Sequence, residues 1–478
     1  MTSHHASMLA TNQAPAGQLD VVSPWDRSII ATIDTDGPAA VDAALAAAHA
    51  AFRDRKGWLP VPRRIEILQR TAALMEKQVE ELALEAAREG GKPLIDSRAE
   101  VVRAIDSVRI AVECLRTNAG EVIPMDRNAA SAGKHAFTID EPIGVVVAVS
   151  AFNHPLNLIV HQVAPAIAAG CPVIVKPAEA TPLSCFRFVS LLREAGLPAV
   201  WCQALVTDTL DTASALVTDN RVGFFTFIGS AKVGWMLRSR LAPGTRCALE
   251  HGGAAPVIVA ADADLDHLIP RLLKGGFYHA GQVCVSVQRV FAHQSIARQL
   301  AERLAKGAAE LVVGDPTDQA TEVGPLIRPA EVERVGSWVD EAVAEGAELL
   351  TGGRATSATT YACTVLWNPA VGSQVSTAEI FGPVVCVYPY DDIDEAIARA
   401  NSLPWSFQAS VFTNDRTLAT HAARSLDASA VFVNEHTAFR VDWMPFAGLR
   451  QSGLGTGGIP YTLRDMTARK MVVVPTEG

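Results

Sequence analysis

Short runs of β-branched residues that alternate with helical segments constrain the fold of this chain most strongly. The runs are IGVVVAVS from Ile143, PVIVK at 172–176, FFTFI at 224–228 and PVIVAA at 256–261. Strands that alternate with helices in this way build a parallel sheet. The second half repeats the pattern, with strands expected near 287–292, 384–389 and 429–433. The sequence therefore predicts two α/β units.

Local patterns also predict where helices begin and end. Apolar residues recur at alternating spacings of three and four from Ile65 to Ala86, which indicates one amphipathic helix. Gly90-Gly91 is typical of a helix end, and a second helix is expected from about 97 to 118. Thr181-Pro182 follows the PVIVK strand and is expected to open a helix, with Thr181 as its cap and Pro182 at the first position.

Two extended segments, Lys134–Glu141 and Arg469–Pro475, fall outside the alternation. Each has the composition of a strand, and neither has a partner strand adjacent in sequence. Unpaired strand edges are available to other chains, so these segments could pair with another subunit.

Composition excludes several classes of protein. The 478 residues carry 51 acidic and 41 basic side chains, a formal net charge of −10, with no run of five lysines or arginines. A nucleic acid or an anionic membrane is therefore not expected as a partner. The longest apolar run, 143–152, is about half of the roughly 20 residues that cross a bilayer, and the N-terminus lacks a secretory pattern. We expect a soluble, cytoplasmic protein.

The chain lacks the glycine-rich fingerprint of dinucleotide-binding proteins. The nearest match, Gly453–Gly458, follows a loop and has the wrong spacing, so a flexible turn is expected there. The turn Gly229–Gly234 directly follows the FFTFI strand and opens a helix. Small residues there let a nucleotide approach the backbone, and the helix N-terminus favours its phosphates. A plain glycine turn explains the same pattern equally well.

The eight cysteines form no C-x-x-C pair, which argues against a disulfide framework and against a metal site. Most are expected to be buried, inert thiols. Cys284 differs, because it lies in a short polar loop after a helical segment. Glu250 precedes a strand and Asn153 ends another, so a nucleophile, an acid and an amide each terminate a regular element. That is where α/β enzymes place reacting groups.

Together these segments closely resemble the NAD(P)-dependent aldehyde dehydrogenase superfamily, from about Val22 to Val474. Seven motifs occur in the family's order: F-N-x-P-L with Asn153, V-K-P-A-E with Lys176 and Glu179, G-S-x-x-V-G at 229–234, E-x-G-G with Glu250, G-Q-x-C with Cys284, E-I-F-G-P with Glu379 and Phe381, and P-F-x-G-x-x-x-S-G-x-G at 445–455.

The resemblance implies an α/β aldehyde dehydrogenase fold. A Rossmann-like cofactor-binding domain is expected over 1–123 and 143–250, and an α/β catalytic domain over 251–452. A small β oligomerisation arm with the C-terminal strand is expected over 124–142 and 453–478. The resemblance also implies a homodimer or a homotetramer.

The resemblance further implies a covalent mechanism. Cys284 attacks the aldehyde carbon to form a thiohemiacetal. The oxyanion is held by the Asn153 side-chain amide and the Cys284 backbone N–H. Hydride then leaves for the nicotinamide, and Glu250 activates the water that hydrolyses the resulting thioester to a carboxylate.

For the cofactor, the resemblance places Lys176 and Glu179 at the adenosine ribose, and Glu379 with Phe381 at the nicotinamide ribose. A carboxylate at Glu179 accepts hydrogen bonds from a free 2′-OH and repels a 2′-phosphate, so NAD is favoured over NADP. The other expected cofactor contacts are Ser150, Phe152, Gly229, Ser230, Val233, Gly234 and Gly252.

Three basic residues are candidates for binding the substrate: His154, His436 and Arg440. An arginine in the tunnel suits an anionic tail. The sequence resembles the branch that acts on small polar or anionic aldehydes, of the phosphonoacetaldehyde, lactaldehyde and phosphorylated triose types. Val283 stands where some phosphate-handling relatives carry arginine, which argues against a doubly charged substrate. Arg440 could instead form a salt bridge with Asp442 or another acid.

Two other functions remain open at this stage. In a CoA-acylating relative a thiol replaces water, but that branch tends to lack the base that Glu250 provides. A non-catalytic family member could serve as a binding or structural protein, although Cys284, Glu250 and Asn153 are all present. A Cys–His hydrolase has no histidine at a motif position that would pair with Cys284.

Overall fold

The computed structural model describes residues 3–476 and has two large sheets at its centre. The first sheet has six strands, parallel except for the short strand at one edge. In spatial order they are Gly453–Leu454, Arg246–Glu250, Val222–Ile228, Val145–Val149, Val173–Lys176 and Cys202–Ala204. Helices cover the sheet, which explains why its strands are continuous apolar runs instead of alternating ones.

The helices of this unit are Pro38–Arg53, Val61–Glu76, Val79–Gly90, Leu94–Thr117, Asn157–Ala169, Leu183–Glu194, Leu210–Thr218, Ala231–Arg238 and Ile459–Asp465. The prediction of one helix from Ile65 to Ala86 is wrong, because the chain leaves helical geometry at Gln78. The apolar spacing continues across this break, because both helices pack their apolar residues against the helix Leu94–Thr117. Periodicity therefore could not reveal the break. Gly91 ends the second helix in the left-handed conformation, as predicted.

The start of the helix Leu183–Glu194 also differs from the prediction. Thr181 makes no capping hydrogen bond, and Pro182 precedes the first helical residue. The backbone N–H groups of Leu183 and Ser184 instead donate to the Glu89 carboxylate, at 2.7 and 2.8 Å. A neighbouring helix thus supplies the cap, which a local pattern could not show.

The second sheet has seven strands and is parallel except at one edge. In spatial order they are Glu348–Thr351, Thr364–Trp367, Val384–Tyr390, Val287–His293, Ala255–Val259, Gln408–Phe412 and Ala430–Val433. Its helices are Leu265–Phe277, Gln294–Glu310, Pro329–Ala344, Gln374–Thr377, Ile393–Asn401 and Arg416–Ser425. The prediction of two α/β units is therefore confirmed.

The two extended segments pair with each other within the chain. Lys134–Pro142 and Thr467–Pro475 run antiparallel, and Val122–Ile123 adds a short third strand. We call this three-stranded sheet the arm. The expectation that 453–478 belongs to it is wrong before Thr467, because Gly453–Leu454 joins the first sheet and Ile459–Asp465 packs on the helix Asn157–Ala169. Residues 1, 2, 477 and 478 of the predicted ranges lie outside the described residues.

Two smaller sheets complete the fold. Ser3–His5, Ile29–Thr35 and Gly17–Val22 form one, and Trp405–Ser406 pairs with Leu449–Arg450 in the other. Within residues 3–476, no helix combines the length and the apolar composition needed to cross a membrane.

Candidate active site

A cavity of about 390 Å³ lies where the two units meet and brings together the three residues predicted to react. Asn153 comes from the loop after Val145–Val149, and Glu250 ends its strand in the first sheet. Cys284 comes from the loop that precedes Val287–His293 of the second sheet. Residues far apart in sequence thus face one space that could hold an aldehyde.

The loop that carries Cys284 is held in an unusual backbone conformation. His279, Ala280 and Gly281 all have positive φ, of 48°, 55° and 71°. A Cβ at Gly281 would overlap the backbone of Gly382, so only glycine fits there. The next residue, Gln282, is held in place by its own side chain, which donates to the Pro325 carbonyl at 3.1 Å and accepts from the Ile327 N–H at 3.0 Å.

Burial raises the pKa of the Cys284 thiol well above its usual value, and the nearby charge of Glu250 adds to the rise, whereas Arg440 opposes it. The thiol therefore needs a base before it can attack. Burial also raises the pKa of Glu250, and the positive charge of Arg440 again opposes the rise. A carboxyl group shifted upward in this way is better matched to proton transfer near neutral pH.

The Asn153 side chain is buried and bound to the cysteine loop. Its Nδ2 donates to the Gln282 carbonyl at 2.9 Å. A primary amide has two N–H donors, so the second one remains for an oxyanion beside Cys284.

The expected nicotinamide-ribose contacts fit a hydroxyl-bearing ligand. Glu379 Oε1 is buried and has no hydrogen-bond partner among the described residues, and burial raises the pKa of Glu379 to about 8. Gly252 leaves room for this carboxyl group, which a Cβ would overlap. Phe381 has a φ of 48°, and its ring meets that of Phe152 edge-on at 5.9 Å. Glu379 lines the cavity, and a carboxyl oxygen without a partner is suited to a ribose hydroxyl.

Most other cofactor candidates also line the cavity: Ser150, Phe152, Gly229, Ser230, Val233 and Gly252. Gly234 does not line it and packs instead against the His251 ring. Lys176 and Glu179 are also absent from the lining, although Ala178 between them reaches it. Their charged groups lie 3.4 Å apart, and the Glu179 side chain is 54% exposed, so they border the cavity where an adenosine end could extend.

At the substrate end, His154 and Arg440 line the cavity but His436 does not. The Nδ1 of His436 instead accepts a hydrogen bond from the Ala438 N–H of its own loop at 3.1 Å, and the structure does not bring His436 to the cavity lining. His154 is not the basic group expected. Burial, reinforced by the charges of Lys92 and Arg103, holds the pKa of His154 well below its usual range, so the ring is neutral.

Arg440 does not pair with Asp442, but it does form the alternative salt bridge with another acid, Glu250. Asp442 accepts instead from Arg103, at 2.7 and 3.0 Å, and from His161 at 2.8 Å. The Arg440 guanidinium lies 3.5 Å above the Phe446 ring and 3.9 Å from Glu250, and its Nε has no partner among the described residues.

Sequence reasoning missed Arg103, which also lines the cavity. It lies on the helix Leu94–Thr117, outside every recognised motif. The available signal was a row of polar residues at helical spacing on an otherwise apolar side, namely Asp96, Glu100, Arg103 and Ser107.

Comparison with known proteins agrees with this geometry. Residues 11–472 match the aldehyde dehydrogenase family. The chain is 37% identical over 462 residues to a 3-sulfolactaldehyde dehydrogenase of Priestia megaterium, covering 97% of this chain and 96% of that protein. Aldehyde dehydrogenase 21 of Physcomitrella patens, in complex with the reaction product succinate, superposes with a TM-score of 0.95 at 34% identity, covering 100% and 99% of the two chains.

A glyceraldehyde-3-phosphate dehydrogenase of Methanocaldococcus jannaschii, complexed with NADP, superposes with a TM-score of 0.92 at 33% identity, covering 97% and 100% of the two chains. The family, the fold and the converging residues lead to one conclusion. The chain belongs to the aldehyde dehydrogenase family, and it is an NAD(P)-dependent oxidoreductase that acts on aldehydes.

Proposed function

We propose that this enzyme oxidises a small aldehyde with a singly charged anionic tail to a carboxylate, with Cys284 as nucleophile, Asn153 as oxyanion donor and Glu250 as general base. The observation that carries the proposal is the single cavity lined by these three residues and by Arg440.

The chemistry follows from the positions of the side chains. The Cys284 thiol gives its proton to Glu250, and the sulfur adds to the carbonyl carbon while the oxygen becomes an oxyanion. The second Asn153 N–H and the Cys284 backbone N–H hold that oxygen, and one such donor typically contributes about 3 kcal/mol. When bound, NAD(P) would supply the hydride acceptor at this carbon, with Glu379 and Phe381 holding its nicotinamide ribose, and loss of the hydride leaves a thioester. Glu250 releases the thiol proton to solvent, then takes a proton from the water that adds to the thioester, and the thiolate leaves.

Charge at the substrate end supports a tail with one negative charge. Arg103 is neutralised by Asp442, and His154 is neutral, so Arg440 is the cation with donors to spare. Val283 lines the cavity beside it and adds no second charge. The related enzyme from Priestia is named for a sulfonated aldehyde, and the Physcomitrella structure holds a dicarboxylate product. A sulfonate or a carboxylate therefore fits better than a phosphonate.

We infer that NAD is preferred, because a 2′-phosphate at the adenosine ribose would meet the Glu179 carboxylate, and Lys176 is already paired with it.

A substrate panel tests the proposal. Initial rates are measured with succinic semialdehyde, 3-sulfolactaldehyde, phosphonoacetaldehyde, lactaldehyde and propanal, each with NAD and with NADP. A charge-assisted hydrogen bond contributes about 1.5–3 kcal/mol, so kcat/KM for the first two should exceed that for the neutral aldehydes by about 10- to 100-fold. Equal values for neutral and anionic aldehydes would contradict the anionic substrate. Acyl-CoA formation when CoA is added would contradict hydrolysis.

We also infer that the enzyme is a homodimer or a homotetramer that associates through the arm. The arm exposes large apolar side chains, among them Phe137, Ile139, Met471 and Val473. Phe137 and Ile139 lie on one face of the arm and Met471 and Val473 on the other. Exposed apolar side chains of this kind are typical of subunit interfaces. All eight cysteines are free thiols, which supports a cytoplasmic location.

A further inference from the structure

A fully buried ion pair, Lys92 with Glu100, lies behind the loop that carries Asn153. Both side chains have essentially no exposure to solvent, and Lys92 Nζ donates to Glu100 Oε2. Neither residue lines the cavity, so neither can touch the substrate. Burying two charges is costly in free energy, and a well-packed apolar pair is often no less stable. The hydrogen bonds of the other carboxyl oxygen of Glu100 indicate a role for the pair.

Glu100 Oε1 accepts two backbone hydrogen bonds, from the N–H groups of Leu156 and Asn157, both at 2.9 Å. These are the first donors of the helix Asn157–Ala169, which has no side-chain cap of its own. Donors in the first turn have no partner within a helix, so a buried helix start needs an acceptor from elsewhere. Glu100 supplies it from the helix Leu94–Thr117.

The fixed helix start lies next to Asn153 in the chain. His154, the residue after Asn153, already accepts the first helical hydrogen bond, which the Leu158 N–H donates to its carbonyl at 3.1 Å. The backbone of Asn153 therefore joins directly onto the turn that Glu100 holds. At its other end, the Asn153 amide is held by the Gln282 carbonyl. Two anchors thus set where its free N–H points.

We propose that the Lys92–Glu100 pair positions the oxyanion donor: Glu100 fixes the first turn of the helix Asn157–Ala169, and through that turn it fixes the Asn153 amide. Lys92 holds the Glu100 carboxyl group aimed at the two N–H groups. The inference rests on the oxyanion role of Asn153 proposed above. Glu100 is a positioning residue, because it acts only through Asn153.

A matched control exists in the same helical hairpin. Glu89 is also buried and accepts from the first two N–H groups of a helix, those of Leu183 and Ser184. That helix follows the turn of Lys176 and Glu179, not the Asn153 loop. Glu89→Gln therefore perturbs the same kind of cap in the same region without touching the oxyanion donor.

The experiment measures the pre-steady-state burst of NADH with propanal and with succinic semialdehyde. Glu100→Gln and the charge-balanced double variant Lys92→Met/Glu100→Gln are compared with Glu89→Gln, and thermal unfolding shows that the compared variants fold. A small misplacement of a reacting group can cost about 100-fold in rate. Both Glu100 variants should slow the burst by about 10- to 100-fold with little change in aldehyde KM, whereas Glu89→Gln should stay within about threefold of the wild type.

A double-mutant cycle with Asn153→Ala separates positioning from general structure. Asn153→Ala alone should slow the burst by about 100-fold or more. If Glu100 acts through Asn153, adding Glu100→Gln to Asn153→Ala should slow it by no more than about twofold further. Additive losses, or an equal loss in Glu89→Gln, would overturn the positioning role. A normal burst in Asn153→Ala would instead overturn the oxyanion assignment itself.

Discussion

At the scale of single residues, environment decides which groups in the cavity can carry charge. His154 and Arg440 were both basic candidates in the sequence, yet burial among cations leaves His154 neutral, while Arg440 remains the cation next to the reacting residues. Such differences depend on which side chains from distant segments meet. Motifs place Cys284, Glu250 and Asn153 along the chain, but they say nothing about Arg103, which neutralises Asp442 from a helix without a motif.

Glu250→Gln should separate the two halves of the reaction. Above about pH 9, hydroxide can take the thiol proton in place of Glu250, so one equivalent of NADH per site should still form. Near neutral pH, where hydroxide is scarce, thioester hydrolysis has no replacement base, and steady turnover there should fall by about 10²- to 10⁴-fold. Rapid-mixing absorbance of NADH measures both phases, and Cys284→Ala serves as the control that gives neither. Steady turnover at the wild-type rate would rule out Glu250 as the base.

Arg440→Met should weaken binding of the tail selectively. Methionine keeps much of the packing on Phe446 and removes the charge, so kcat/KM should fall by about 10- to 100-fold for succinic semialdehyde and by less than about threefold for propanal. Arg328→Gln, an exposed arginine paired with Glu331, is the control for loss of charge elsewhere. Equal losses for both aldehydes would remove Arg440 from tail recognition.

NAD binding should strengthen as pH rises, because Glu379 has its pKa raised to about 8 and its ionised form is the better acceptor for a ribose hydroxyl. Below this pKa Glu379 is protonated, so NAD binding must release its proton. The dissociation constant for NAD should therefore rise by up to about tenfold for each unit by which the pH falls. Quenching of tryptophan fluorescence by NAD, followed from about pH 6 to 9, measures the effect. Glu379→Gln should bind NAD with no such dependence, and a parallel slope in this variant would contradict the assignment.

At the scale of elements, sequence patterns predicted strands well and helix boundaries less well. The apolar runs that predicted Val222–Ile228 and Val384–Tyr390 need no tertiary information, because a strand buried on both faces is apolar throughout. The break at Gln78 and the cap from Glu89 depend on neighbouring helices. The same limit applies to the arm, whose two long strands are more than 300 residues apart in the chain, so that the sequence did not reveal their pairing with each other.

The cap of the helix Leu183–Glu194, which Glu89 provides instead of Thr181, gives a prediction about stability. Thr181→Ala should lower the free energy of unfolding by no more than about 0.8 kcal/mol, because Thr181 makes no capping hydrogen bond and its buried side chain loses one methyl group. Glu89→Ala should cost about 1–3 kcal/mol, since it leaves the buried N–H groups of Leu183 and Ser184 without an acceptor. Urea unfolding followed by circular dichroism compares the two variants. A larger loss for Thr181→Ala than for Glu89→Ala would restore the local cap.

At the scale of the whole molecule, each subunit has a complete set of proposed catalytic residues, but its arm is left with apolar side chains in solvent. Val473 on the arm is 45% exposed. Val473→Asp would place a charge in a subunit interface, where an unpaired buried charge typically costs several kcal/mol, and should shift the enzyme toward smaller species. Val371→Asp is the matched control, since Val371 is 71% exposed and lies outside the arm. Light scattering after size-exclusion chromatography gives the masses, and a wild-type mass for Val473→Asp would place the interface elsewhere.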